Sequence, residues 1–217
     1  GLHACIDCGT CTAICPAASF YDYEPRELVQ LVQRKDEKIL HSLLTSDYIW
    51  YCGECMSCKT RCPKDNVPGL LVEALRALSQ DTGLFIESEK GRQQLAIKRT
   101  VGDWIVQEGY CIVSDYLNIE MFPEQGPNWE WVLDNAEEVF EKQGANYMKE
   151  GNGAMRKIPQ EDLDELQKIY DVTGCTERFR LIENLSKKQA EKMNMQFDET
   201  MDCEYAKHVY EFNSKYK

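Results

Sequence analysis

Two copies of one twelve-residue pattern constrain this chain more than anything else in it. Cys5-Ile-Asp-Cys8-Gly-Thr-Cys11-Thr-Ala-Ile-Cys15-Pro16 is the first, and Cys52-Gly-Glu-Cys55-Met-Ser-Cys58-Lys-Thr-Arg-Cys62-Pro63 is the second. Each is a C-x2-C-x2-C-x3-C-P run, the spacing used to hold a pair of [4Fe–4S] cubanes. Three cysteines two residues apart let one tight loop wrap three corners of a cluster. The fourth lies out of reach of its own loop and ligates the partner cluster. The expected ligand sets are therefore Cys5, Cys8, Cys11 and Cys62 for one cubane, and Cys52, Cys55, Cys58 and Cys15 for the other. The prolines that follow are expected to turn the chain away, where a continuing helix would crowd the site.

Other uses of cysteine fit less well. A structural zinc site takes four ligands in two pairs and needs no third cysteine at the next C-x2 step. A disulfide framework would favour an even count and a secretory leader; the chain has 11 cysteines and no basic-then-apolar N-terminal segment. Reduced cysteines in this number point to the cytoplasm.

The 217 residues, 43% of them hydrophobic, suffice for one compact domain or two small ones. No transmembrane segment is expected, because no apolar run approaches the roughly 18–20 residues a span requires. The net charge of −12 and the lack of a basic stripe argue against nucleic-acid binding.

The segment between Cys15 and Cys52 reads as helix. Pro25 suits a first helical position, and Leu28, Leu31 and Val32 follow at i, i+3, i+4. Ile39, Leu40, Leu43 and Leu44 make a second apolar stripe. Pro68 opens a further helix with Leu71, Ala74, Leu75 and Leu78 on one face and Gly83 as its stop. Residues 1–83 thus read as an all-α two-cluster module. Residues 84–217 read as a helical extension for docking partners. In it, Ser88 caps a long helix whose face is Ile97, Val101, Trp104 and Ile105, ending at Gly109. Asn128 caps a helix presenting Trp129 to Phe140, with Gly144 at its end. Residues 149–158 read as a loop, and helices follow over about 160–170 and 176–193. Tyr205, Val209 and Phe212 would share a helical face if the tail is not an extended arm along a partner.

Little else carries chemistry. Cys111, Cys175 and Cys203 stand alone and read as small buried hydrophobes before nucleophiles. His3, His41 and His208 show no metal-ligand spacing. His3, two residues before Cys5, reads as a solvated terminal residue ahead of one that tunes a cluster by hydrogen bonding. Trp129 and Trp131 point to different faces of one helix, one for the core and one for a partner. There is no G-x-G-x-x-G, P-loop or G-x-S-x-G element. The residues thus describe an electron carrier with no catalytic residue of its own.

The paired motifs, the helical spacer, Trp50-Tyr51-Cys52 and the helix from Pro68 to Leu78 resemble the C subunits of heterodisulfide reductases. The resemblance covers residues 2–83. It implies an α-helical ferredoxin fold and two [4Fe–4S] clusters that relay electrons between a flavin-containing A subunit and a B subunit doing the sulfur chemistry. The chain has no Cys-Cys pair, so it does not resemble the B subunit. It departs from the family in two respects. Cys5 stands so early that a longer N-terminal segment is expected to be missing. The half from about residue 100 onward is expected to be absent from most methanogen versions. Phe122-Pro-Glu-Gln-Gly-Pro127, Gly144-Ala-Asn-Tyr147 and Arg156-Lys-Ile-Pro159 look like extended C subunits of the sulfur-oxidising heterodisulfide reductase-like complex. That reading implies a lipoate-binding sulfur carrier as a partner of the complex. The alternative hosts are a reductase of the CoM–CoB heterodisulfide and a quinone-interacting oxidoreductase complex. A different class of reading is a binding scaffold stapled by metal.

Overall fold

The computed structural model describes residues 2–211, and among these there is no β-strand. The all-α expectation holds. Phe212 lies outside the described residues. The described residues divide into two compact units. One comprises the chain up to Ala96 together with Arg178 onward, and the other is Ile97–Glu177. The division does not fall at residue 83. The C-terminal helices return to the cysteine-bearing unit and complete its core, which periodicity along the chain cannot reveal.

Within the first unit, Pro25 opens the helix Pro25–Gln33 at its first position, where its missing N–H has no helical partner to lose. Asp36 caps Glu37–Leu44 by accepting hydrogen bonds from the Lys38 and Ile39 amides at 2.8 and 3.2 Å. Pro68 opens Pro68–Asp81, and Gly83 follows the helix at φ 75°. These helices enclose one core built on Tyr23, Leu28, Leu43, Leu44, Ile49, Val72 and Leu75. The face of Pro68–Asp81 differs from the expected one. Val72, Leu75 and Ser79 are buried, whereas Ala74 and Leu78 are exposed. Small residues decide this: Gly69 lets the helix approach the second cysteine motif, and the Ser79 hydroxyl donates to the Leu44 carbonyl at 2.6 Å.

A second core in the same unit joins Phe85, Ile86 and Leu95 to Ile182, Ala190, Cys203, Tyr205, Ala206 and Val209. Trp50 packs against both cores. The helices Cys175–Lys192 and Glu204–Glu211 supply the C-terminal part. The tail up to Glu211 is therefore helical and docked, with Tyr205 and Val209 inward as their spacing implied. Cys203 is 1% exposed, a small hydrophobe in a core.

Ser88 caps its helix through the Gly91 amide at 2.8 Å, but the long helix is segmented. Helices Glu89–Arg92 and Gln94–Ile97 lead into a π-helical turn, Lys98–Gly102, and then Asp103–Glu108, closed by Gly109 at φ 76°. The wider turn shifts the register, so Ile97 is 53% exposed while Arg99 and Thr100 are buried. Within the second unit, Trp129–Asp134 and Ala136–Lys142 are separate helices, and the Asn128 side chain makes no capping bond. Trp131 is exposed and Trp129 half-buried, the split their spacing implied. Residues 149–158 form the expected loop, followed by Gln160–Val172.

Candidate iron–sulfur site

The two cysteine motifs fold as near copies. In each, the residues on either side of the second cysteine have positive φ: Asp7 at 59° and Gly9 at 76° around Cys8, Glu54 at 53° and Met56 at 56° around Cys55. Three of these four carry side chains, and the left-handed region costs such residues about 1–2 kcal/mol each. Successive residues that alternate in hand make a concave nest of backbone amides, a surface suited to an anionic group. Short helices, Thr10–Ala13 and Ser57–Arg61, start immediately afterwards. Each run then ends in a cysteine with extended backbone, Cys15 at φ −75°, ψ 118° and Cys62 at φ −72°, ψ 120°. The following proline imposes that conformation, so both chains leave the site as expected.

The fourth cysteines cross over. Cys5, Cys8, Cys11 and Cys62 line one cavity of about 380 Å³. Cys15, Cys52, Cys55 and Cys58 line another of about 360 Å³. Each cavity thus collects three cysteines from one motif and the last from the other. Among the described residues, no three His, Cys, Asp or Glu side chains are grouped as a single metal ion would require. The cysteines surround a space in fours, which fits a cuboidal group with a sulfur ligand at each of four corners. His3 is exposed, Cys111 is exposed and Cys175 is half-buried. None of the three lines either cavity.

Hydrogen bonds to sulfur repeat between the motifs. The Thr10 hydroxyl lies 3.3 Å from Cys8 Sγ, and the Ser57 hydroxyl 3.4 Å from Cys55 Sγ. These contacts hold both exposed thiols below their usual range, whereas burial pushes Cys11 and Cys52 up. The Glu54 amide donates to Cys52 Sγ at 3.4 Å, and the Asn66 amide to Cys62 Sγ at 3.3 Å. Amides aimed at sulfur favour its anionic form, the form that binds iron.

Two helix starts complete the walls. Pro25 and Gly69 line the second cavity, and Val29 and Pro68 the first. A Cβ on Gly69 would sit 2.7 Å from Met56 Sδ and 3.7 Å from Cys58 Sγ. Only glycine allows the helix this close to the loop. Arg76, on the same helix, fastens the second motif. It donates to the Ile49 carbonyl at 2.8 Å and the Cys52 carbonyl at 2.6 Å, pairs with Glu54, and lies 5.3 Å from the Trp50 ring.

The aromatic residues flanking the motifs gather beside the second cavity. Tyr21 and Tyr51 stack at 4.3 Å, and Tyr23 packs on Tyr48 at 5.1 Å. Burial, then the nearby Cys52 sulfur, pushes the Tyr23 phenol far up. Sequence reasoning missed Gly69, Arg76 and Tyr23. The only signals for them were a glycine behind a helix-opening proline and tyrosines clustered on both sides of the spacer.

A wider opening in the Ile97–Glu177 unit is an acidic depression. Two of its carboxylates, Glu137 and Glu141, pair with Lys149.

The all-α fold and the paired four-cysteine cavities define a [4Fe–4S] dicluster protein. The family model of the 4Fe-4S dicluster domain matches residues 1–66. Among curated proteins, the chain is 33% identical over 184 residues to the C subunit of the ferredoxin:CoB-CoM heterodisulfide reductase of Methanosarcina acetivorans, covering 84% of this chain and 66% of that one. It is 29% identical over 143 residues to the iron–sulfur C 2 subunit of the CoB–CoM heterodisulfide reductase of Methanocaldococcus jannaschii, covering 64% and 70%. A third relative, the C2 subunit of the H(2)/formate:CoB-CoM heterodisulfide,ferredoxin reductase of Methanococcus maripaludis, is 33% identical over 89 residues, covering 41% and 46%. The chain belongs to the family of heterodisulfide reductase C subunits. It spans 66%, 70% and 46% of these three relatives' own lengths.

One expectation is corrected here. The Methanosarcina match, at 184 residues, is more than twice as long as the 83-residue module and runs well into the C-terminal half. A long C-terminal half is therefore no mark of the sulfur-oxidising type.

Proposed function

We propose that this chain is the electron-relay subunit of a heterodisulfide reductase-type complex, carrying two [4Fe–4S] clusters and performing no substrate chemistry itself. The observation that carries the reading is the crossed set of four cysteines around each of two cavities. Cys5, Cys8, Cys11 and Cys62 would hold one cluster, and Cys15, Cys52, Cys55 and Cys58 the other. Each cluster supplies a site for one electron at a potential the protein tunes. The chain's own residues hold the sites rigid and close together: the crossed fourth cysteines tie each motif to its neighbour's cavity. With four cysteines at each site, the iron is left no open position for a substrate. The catalytic centre is thereby assigned to a partner B subunit and the electron exchange with nicotinamide or ferredoxin to a flavin-containing A subunit. No described helix is long and apolar enough to cross a membrane, and the reduced cysteines point to the cytoplasm as the home of the complex.

The relatives' names favour a complex acting on a CoB–CoM type heterodisulfide as the host. The second host is the sulfur-oxidising complex with its lipoate-binding carrier, for which the stretches around Phe122, Gly144 and Arg156 remain the support. Iron and acid-labile sulfide in anaerobically purified protein should be about eight of each per chain. Zinc in place of iron would sink the reading. Proteins co-purifying with the native complex separate the hosts: a lipoate-binding protein marks the sulfur-oxidising type, and a hydrogenase or a ferredoxin-reactive partner marks the CoB–CoM type.

A further inference from the structure

The two cavities differ in one respect that the duplicated motifs conceal. Arg26 and Lys64 line the first, while the second is lined by no charged side chain. The second instead has Tyr23, and no tyrosine lines the first. Tyr23 is 2% exposed. Its hydroxyl is buried and has no hydrogen-bond partner, although it lies close to the Cys52 sulfur. The ring cannot swing out to water, because Tyr48 packs on it at 5.1 Å and Tyr51 meets it edge-on at 6.3 Å. Pro25, two residues on, fixes the backbone as the helix begins. A buried hydroxyl left unpaired is costly, and this one is aimed into a cavity whose remaining walls are sulfur and apolar carbon.

We propose that the Tyr23 hydroxyl donates a hydrogen bond to sulfur at the second site, on Cys52 or on the cluster it holds, and so raises the potential of that cluster alone. The physical cause is charge. A donor at sulfur draws off negative charge and favours the state with one more electron. At the first site the nearest counterpart is the Gln30 amide, 3.5 Å from Cys5 Sγ. The duplicated motifs thus hold two centres of unlike potential, one of them set by a residue outside either motif.

The inference rests on the two-cluster reading, and the experiment separates their failures. Midpoint potentials of both clusters are measured by EPR-monitored redox titration of the full chain, for wild type, Tyr23→Phe, Tyr48→Phe and a chain with a ring-fluorinated tyrosine at position 23. Iron and sulfide are assayed on each. Tyr23→Phe should lower one potential and leave the other in place. The fluorinated ring, a stronger donor, should raise the same one. Tyr48, whose hydroxyl contacts Glu24 and Glu27, should leave both unchanged when replaced by phenylalanine. Full clusters with unmoved potentials in Tyr23→Phe would overturn the inference, as would an equal shift in Tyr48→Phe. Should Tyr23→Phe lose its cluster, an unmoved potential in the fluorinated chain would overturn it. Wild-type protein without iron would instead remove the two-cluster reading.

Discussion

Replacing Arg76 with alanine should loosen the loop that presents Cys52 and Cys55. The guanidinium, 17% exposed, reaches two backbone carbonyls, Ile49 and Cys52, and the Glu54 carboxylate while lying over Trp50. Hydrogen bonds from a charged donor contribute about 1.5–3 kcal/mol each. The ring contact adds about 0.5–1 kcal/mol at a partly exposed position. The Glu54 pair, whose carboxylate is 41% exposed, adds less than about 1 kcal/mol. Removing the side chain restores roughly 2 kcal/mol of rotamer entropy. The net cost is about 3 kcal/mol, which is on the order of a hundredfold in the equilibrium for opening the loop. Bleaching of the visible cluster absorbance in mild denaturant, followed anaerobically, should therefore be on the order of a hundredfold faster in Arg76→Ala. Arg76→Lys should recover little, since one ammonium cannot span acceptors that the planar fork reaches together. A variant with unchanged far-ultraviolet circular dichroism that bleached at the wild-type rate would refute the clamp.

Cys62→Ala should remove the cluster held mainly by Cys5, Cys8 and Cys11, and Cys15→Ala the one held by Cys52, Cys55 and Cys58; EPR of the reduced variants would show the reverse if ligation stayed within each motif. Gly83→Ala should cost about 2–3 kcal/mol, because φ 75° disfavours any Cβ and the added methyl meets Leu185 Cδ1 at 2.7 Å. The thermal midpoint checks it, and an unmoved midpoint would contradict the packing. Burial pushes the Tyr205 phenol up to about 12. Its raised value favours the folded state fully below about pH 10, the ordinary phenol value, and that contribution is lost as pH rises through about 12. Tyr205→Phe should flatten this alkaline limb of a stability–pH profile; an identical limb in the variant would exclude Tyr205 as its source.

Local signals made the first unit legible where they act within one turn. Pro25 and Pro68 at helix starts, Gly83 and Gly109 after helix ends, and Asp36 and Ser88 as candidate caps each act on neighbouring backbone. Faces were harder to read. The expected stripe through Leu71, Ala74 and Leu78 counted hydrophobic residues, yet the buried side of that helix is set by Gly69 and Ser79, which are small enough to approach other backbone. The π-helical turn at Lys98–Gly102 moved Ile97 outward for a related reason: one extra residue in a turn rotates everything beyond it. The candidate site divides the same way. Eight cysteines could be sorted into two crossed sets on spacing alone. Arg76, Gly69 and Tyr23 are remote from the motifs, and nothing local marks them.

By itself the sequence determined the ligand chemistry, since C-x2-C-x2-C-x3-C-P fixes which sulfurs a tight loop can bring to one cluster and which it cannot. It also determined the helical class, through periodicity and capping. Only the tertiary structure decided that the helices from Arg178 onward share a unit with the cysteine motifs, that Arg76 fastens the second loop, and that a buried phenol faces one cavity and not the other. Those are contacts between residues far apart along the chain. Their energies depend on distances that appear only once the whole unit has closed around them.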